Sequence, residues 1–208
     1  MKDLDAKTME TALTRLGQVA LARGRIIDIA IYGGSALALA YDLRKTTKDV
    51  DAVFEADRDF VRKAAGEIAT EMGLEQDWLN DAMKGYLSPK NQESLLKFGN
   101  FPSDDEVGLR VFVPAPEYFF AMKCVDIRLT PEAHDLEDAR NLARVCGIRT
   151  ADQALDLIKN FYPDRKLPAK AMFAVEELFE RHDMSEIAAG RVGFDNTLRQ
   201  HLRERNPK

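Results

Sequence analysis

The chain has 208 residues, of which 45% are hydrophobic and 31% are charged, and its formal net charge is −5. This size and apolar content suit one globular unit, or a core domain with a smaller appendage. The negative charge argues against a broad nucleic-acid-coating surface, although it is compatible with one local basic groove. The sequence contains no run of about 18 apolar residues, the length that could span a membrane.

The first residues and the cysteines indicate the compartment. The opening ten residues are polar and acidic, without the apolar core of a secretory signal. Only two cysteines are present, Cys124 and Cys146, and both lie in helical patterns. Neither a disulfide framework nor a zinc cluster is therefore expected. We predict a cytoplasmic protein with no membrane association.

The first half of the chain alternates helical and strand patterns. Apolar residues recur at helical spacing before Gly24, and a β-branched run then leads into a glycine pair. Ser35 is expected to cap a short helix after that pair. The predicted elements are a helix over 4–23, a strand over 25–32, the short helix after Ser35, a strand over 49–54 and a helix over 58–72; residues 76–87 have no clear pattern.

The second half begins with a hairpin and continues as helices. Residues 95–101 and 107–113 read as two antiparallel strands, and Pro114 and Pro116 end the strand pattern. We predict an α/β (α+β) core over 1–115 and a helical region over 116–208. The helices are expected over 116–128, 131–146, 150–160 and 168–181, and the segment from Met184 has weak periodicity.

Two aspartates lie one residue apart on the predicted strand at 49–54. Side chains alternate along a strand, so Asp49 and Asp51 share a face, about 7 Å apart. Their carboxylates would repel each other unless a cation lies between them, and Mg²⁺ prefers such oxygen ligands. The alternative is an exposed strand end whose aspartates pair with nearby cations. Those cations would be Arg44, Lys45 or Lys48.

The glycine pair makes a phosphate site conceivable beside the aspartates. A strand that ends at Gly33 and Gly34 before a helix brings backbone N–H groups and a positive helix end together. Ser35 would serve there as a cap, as a phosphate donor, or as both. The alternative is a tight turn without a ligand. The pair does not belong to a Walker A loop, because no G-x4-G-K-[ST] motif is present.

The segment GGSALALAYDLRKTTKDVDAVF, residues 33–54, contains both features. It resembles the signature of the nucleotidyltransferase superfamily (the DNA polymerase β-like fold), a GG-[ST] followed by D-x-D. Arg44, Thr47 and the KDVD sequence make it most similar to the bacterial minimal nucleotidyltransferases and the AbiEii-type toxins. Residues 78–82, WLNDA, are similar to a segment of bacterial members of that group.

A second segment, residues 116–144, resembles a later pattern of the same group. This pattern has a helix with one lysine, an arginine a turn onward, and a KDLxD sequence that opens the next helix. Lys123, Arg128 and Asp135 match it, whereas His134 replaces the usual lysine. From the residues alone, Lys123 interrupts an apolar helical stripe, so it either snorkels or is held against an anion.

The resemblance implies a fold, an activity and a site. The fold would be a mixed sheet flanked by helices, followed by a helical region. The activity would be Mg²⁺-dependent transfer of a nucleoside monophosphate from an NTP such as ATP to an RNA, protein or small-molecule acceptor. Asp49 and Asp51 would hold Mg²⁺, and Gly33, Gly34 and Ser35 would position the nucleotide phosphates.

The resemblance also implies roles for charged residues elsewhere. Arg44 or Lys123 would offset phosphate charge, and Asp51 or Asp135 would take the proton of the acceptor hydroxyl. Asp135 would also orient Lys123, Arg128 or the acceptor.

Superfamily enzymes usually have a third carboxylate on a later strand, and the predicted strand over 107–113 has none. Asp135 is the preferred substitute. The acids at 104–106 are expected at a solvated hairpin tip, with one of them reaching the site as the alternative.

Two other interpretations of the same residues stay open. The protein would be the toxin of a toxin–antitoxin pair, with tRNA or a protein as its target and a cognate antitoxin as its partner. Alternatively, it would be an inactive member of the fold that binds a nucleotide or a protein partner, as the missing strand carboxylate suggests.

Overall fold

The computed structural model describes residues 3–54, 56–130 and 133–180. These residues divide into two compact units. One is formed by the described residues up to Gly85 together with Leu95–Pro114, and it contains every strand that the structure describes. The other is formed by Tyr86–Ser94 and the described residues from Ala115 to Glu180, and it is helical.

The sheet unit contains short strands and three helices. Its elements are β1 (Leu4–Asp5), α1 (Ala6–Leu21), β2 (Ile27–Ile31), α2 (Gly33–Leu39), β3 (Thr46–Thr47), β4 (Val50–Val53), α3 (Arg58–Met72), β5 (Leu79–Asn80), β6 (Leu95–Pro102) and β7 (Val107–Pro114).

A mixed five-stranded sheet in the order β5-β4-β2-β7-β6 organises this unit, and β1 pairs separately with β3. Strand β2 is antiparallel to β4 and parallel to β7, while β4 is parallel to β5. Alternation along the strands separates the two faces of the sheet. One face carries buried aliphatic side chains, among them Ile29 and Val111. The other face carries Asp28 of β2 and Asp51 of β4. The two share this face because Ala30, two residues from Asp28, lies opposite Val53, two residues from Asp51.

Helix α1 packs closely on β6 and β7. A Cβ on Gly17 would lie 2.5 Å from the Phe101 carbonyl oxygen, and a Cβ on Gly108 would overlap the Gly17 carbonyl. Only glycine permits this approach of two backbones. On α3, the Ala65 carbonyl accepts a 3.0 Å hydrogen bond from the indole Nε1 of Trp78, which is buried in the core.

The helical unit contains α4 (Pro116–Val125), α5 (Asp135–Cys146), α6 (Ala151–Phe161) and α7 (Ala169–Glu180). Helix α4 is buried on nearly all sides, and its Tyr118 ring packs against the Phe161 ring in a tilted arrangement with the ring centroids 5.2 Å apart. A separate apolar cluster is formed by Ile127 with Ala171 and Ala174. Within the described part of the chain, no helix is long and apolar enough to cross a membrane.

The structure confirms the mixed α/β class with a mixed sheet, and it corrects several boundaries. Helix α3 spans the predicted residues, and the β6–β7 hairpin is antiparallel as predicted. The first helix starts at Ala6 because Leu4–Asp5 is a strand. Helix α4 ends at Val125 rather than at residue 128. The segment predicted to have weak periodicity, from Met184, lies outside the described residues.

Candidate functional site

The glycine pair lies at the start of α2, directly after β2. The N-cap residue is Tyr32, whose backbone is extended, and the helix then runs for seven residues. The prediction that Ser35 caps the helix is therefore wrong. Ser35 is fully buried inside the first turn, and its hydroxyl donates a 2.7 Å hydrogen bond to the Tyr32 carbonyl. This hydrogen bond stabilises the first turn of the helix.

The two glycines lie against charged side chains. Gly33 has a φ of +61°, and a Cβ there would overlap the Asp51 carboxylate. A Cβ on Gly34 would lie 2.5 Å from Arg44 Nη1 and 2.9 Å from Thr47 Oγ1. The turn therefore brings together Gly33, Gly34, Arg44 and Asp51, which the sequence predicted as one site. Thr47 joins them from β3.

Asp49, the other aspartate of the predicted site, lies just before β4, in an electrostatically unfavourable position. Burial raises the pKa of Asp49, and the negative charges of Asp51 and Asp77 raise it further. A 2.9 Å hydrogen bond from Asn80 Nδ2 to Asp49 Oδ2 acts in the opposite direction. The repulsion that Asp51 and Asp77 exert on Asp49 is an electrostatic condition that a bound cation would relieve.

The residues of this turn fit one kind of Mg²⁺ site and not another. Among the described residues, no group of three or more His, Cys, Asp or Glu side chains is arranged to hold a metal ion. A cage made of protein ligands alone therefore does not fit. Mg²⁺ is also commonly bound by one or two carboxylates, completed by water and substrate phosphates. Asp49 and Asp51 match this second kind, and they are the residues that would hold the ion.

Replacing Asp49 with asparagine should stabilise the protein in the absence of divalent cations. The amide removes the charge that Asp51 and Asp77 repel, and its oxygen still accepts from Asn80. We expect the melting temperature to rise by about 2 °C in EDTA at pH 7. The control is Asp105→Asn at the exposed hairpin tip, which should leave it unchanged. A lower melting temperature for Asp49→Asn would show that this carboxylate is not under repulsion.

The second group of predicted residues forms an ion cluster in the helical unit. Lys123 Nζ lies 2.8 Å from Asp138 Oδ2 and 3.3 Å from Asp135 Oδ1. The Arg128 guanidinium reaches both oxygens of Asp135, at 2.7 and 3.2 Å. Of the two alternatives for Lys123, the structure therefore shows the one in which anions hold the lysine. Asp135 does contact Lys123 and Arg128, as the resemblance implied.

The surroundings of Asp135 do not suit a general base. Burial alone would raise its pKa, but hydrogen bonds from Arg128 and the charge of Lys123 outweigh burial and lower the pKa to about 2. A base works best when its pKa lies near the pH of the reaction. Of the two expected proton acceptors, the lowered pKa of Asp135 favours Asp51. Its geometry is that of a buried ion-pair partner, 3% exposed.

Sequence reasoning missed the strand beside β4. β5 places Asn80 next to Asp51, and Asp77 precedes that strand. The only signal was the polar, aromatic character of residues 76–87, which had no period. The acids at 104–106 lie at an exposed hairpin tip as expected, where Asp104 accepts a 2.9 Å hydrogen bond from Asn100.

Comparison with known proteins adds no identification. No protein-family model matches this chain, and neither does any curated protein or solved structure.

Proposed function

We propose that this protein is a Mg²⁺-dependent nucleotidyltransferase that moves a nucleoside monophosphate from an NTP to an acceptor. One observation supports this proposal above the others. The Asp51 carboxylate and the Arg44 guanidinium lie against consecutive glycines of a single turn, where a Cβ on either glycine would collide with them. A carboxylate and a cation packed against one backbone turn suit a metal-bound triphosphate.

Each residue of the turn has a distinct task in the proposed reaction. Gly33 and Gly34 allow Asp51 and Arg44 to approach the backbone of the turn. Backbone N–H groups of the turn would position the phosphates, and Arg44 would offset their negative charge. Mg²⁺, when bound, supplies charge stabilisation at the phosphoryl oxygens during in-line displacement. Asp49 and Asp51 would hold the ion. With Asp135 unsuited to the role, Asp51 is the candidate to accept the proton of the acceptor hydroxyl.

Calorimetric titration with each NTP tests this proposal. Wild-type protein should bind at least one NTP in Mg²⁺ and bind it much more weakly in EDTA. The double variant Asp49→Asn with Asp51→Asn should stay folded and lose the Mg²⁺-dependent binding. Its matched control is Asp104→Asn with Asp105→Asn, which removes the same charge from the exposed hairpin tip. Unchanged binding by a folded Asp49/Asp51 variant would refute the assignment.

A second candidate function is nucleotide binding without transfer. It is favoured by one observation, that no group of three or more His, Cys, Asp or Glu side chains among the described residues is arranged to hold a metal ion. A binding protein would be stabilised thermally by an NTP and would release no pyrophosphate. An enzyme would release pyrophosphate once a suitable RNA, protein or small-molecule acceptor is present. A toxin within this class would be neutralised by a cognate antitoxin protein.

A further inference from the structure

We infer that Asn80 is a positioning residue that holds the Asp49 carboxylate in the orientation needed for the metal ion. This inference rests on the proposed function, because it concerns the same metal site. It adds a residue that is itself neither an acid nor a phosphate contact. It also gives the short strand β5 a role in the site.

The contact between the two side chains has a defined direction. Asn80 Nδ2 lies 2.9 Å from Asp49 Oδ2. An ionised carboxylate can only accept hydrogen bonds, so the amide must present its NH₂ group to Asp49. Such hydrogen bonds to a charged acceptor are stronger than neutral ones. The bond therefore limits rotation of the Asp49 carboxylate and fixes one of its two oxygens.

Strand pairing places Asn80 where it can do this. In the parallel pair of β4 and β5, Val50 lies opposite Leu79 and Asp51 lies opposite Asn80. Residues opposite each other share a face of a sheet, so Asn80 is on the face that carries Asp51. The amide thus lies beside one of the two predicted metal ligands and donates to the other.

Helix α3 anchors the segment that carries Asn80. Next to β5, Trp78 is 1% exposed, and its indole donates to the Ala65 carbonyl of α3. On the other side of Asn80, the Asp81 carboxylate binds Arg58 and Arg62, both from α3. Contacts with α3 thus hold the chain on both sides of Asn80, and the pairing of β5 with β4 fixes the Asn80 backbone opposite Asp51. Groups that orient metal ligands in this way typically change metal affinity 10- to 100-fold when they are lost.

The substitution Asn80→Asp tests the inference because aspartate has the same shape and cannot donate. The measurement is Mn²⁺ affinity by electron paramagnetic resonance, with α,β-methylene-ATP present. We expect Asn80→Asp to raise the Mn²⁺ dissociation constant at least about tenfold, although it adds a negative charge. Asn80→Ala should weaken binding similarly and decides the matter if Asn80→Asp does not fold. Equal or tighter binding by the folded variants would overturn the inference.

The controls separate failure of this inference from failure of the proposed function. Asn160→Asp makes the same chemical change in the helical unit, where Asn160 accepts a hydrogen bond from Lys90, and it should leave Mn²⁺ affinity unchanged. The variant Asp49→Asn with Asp51→Asn should abolish Mn²⁺ binding. If it does so and the Asn80 variants bind normally, only the inference fails. If it binds Mn²⁺ like wild type, the proposed metal site and the inference fail together.

Discussion

The substitution Gly33→Ala should displace the Asp51 carboxylate and abolish the Mg²⁺-dependent NTP binding proposed for this turn. Two effects act together. The backbone of Gly33 has a φ of +61°, which costs about 1 to 2 kcal/mol for alanine, and the new Cβ overlaps the Asp51 carboxylate. Because the overlapping atom is the far end of the Asp51 side chain, the carboxylate can move away at a small further cost, and the main consequence is its loss from the site. Unfolding followed by fluorescence of Trp78, the single tryptophan, measures the loss in this unit.

Gly24→Ala is the matched control for this prediction. Gly24 has a φ of +64°, nearly that of Gly33, and nothing lies within 4 Å of the position of its Cβ. This variant should therefore show the backbone cost without the collision, and it should bind NTP normally. The difference between the two variants isolates the contact with Asp51. Equal destabilisation of the two variants, with NTP binding intact in both, would show that the contact is unimportant.

A second large effect is expected in the helical unit, where Asp135→Asn should destabilise the protein by about 2 to 3 kcal/mol at pH 7. The amide keeps the shape of the side chain but removes the negative charge that pairs with both Lys123 and Arg128. The corresponding fall in melting temperature is about 5 to 10 °C. Circular dichroism at helical wavelengths follows the transition. An unchanged transition would contradict the assignment of Asp135 to a stabilising ion cluster.

The pH dependence of this effect has a defined sign. The fold lowers the pKa of Asp135 from 3.8 to about 2, so ionised Asp135 stabilises the folded state above pH 4. That stabilisation should disappear as the pH falls from about 4 to 2, and the wild type and Asp135→Asn should converge there. Asp81→Asn is the control, because Asp81 also binds two arginines, but those arginines are exposed. Its effect should stay within about 1 kcal/mol.

The sequence was most informative where residue type and geometry are tightly linked. Gly33 and Asp51 could be placed in one site because a left-handed turn at a strand end favours glycine, and strand alternation orients the aspartates. Helix α3 was predictable in full from its apolar period. Asn80 was not predictable, since β5 has only two residues and two residues show no period. Its partner became evident only through the pairing of β4 with β5.

The errors in the predicted end of α4 and in the predicted N-cap of α2 each have a physical cause. The apolar pattern of α4 continues to Ile127, which is fully buried, yet Ile127 lies beyond the helix and packs on Ala171 and Ala174. Burial outside a helix thus imitated a helix. The error at Ser35 has another cause, because serine is a residue type that favours N-caps. There the extended backbone of Tyr32 placed the cap three residues earlier.

The most direct measurement compares NTPs that carry the radioactive label on the α- or the γ-phosphate. Each is incubated with the protein, Mg²⁺ and total cellular RNA and protein, and the acceptor pools are separated. Nucleotidyl transfer predicts label in an acceptor from the α-labelled NTP and none from the γ-labelled NTP. It also predicts no label with the folded Asp49→Asn/Asp51→Asn variant. Label that arrives from the γ-phosphate, or equal α-labelling by wild type and variant, would contradict the proposed function.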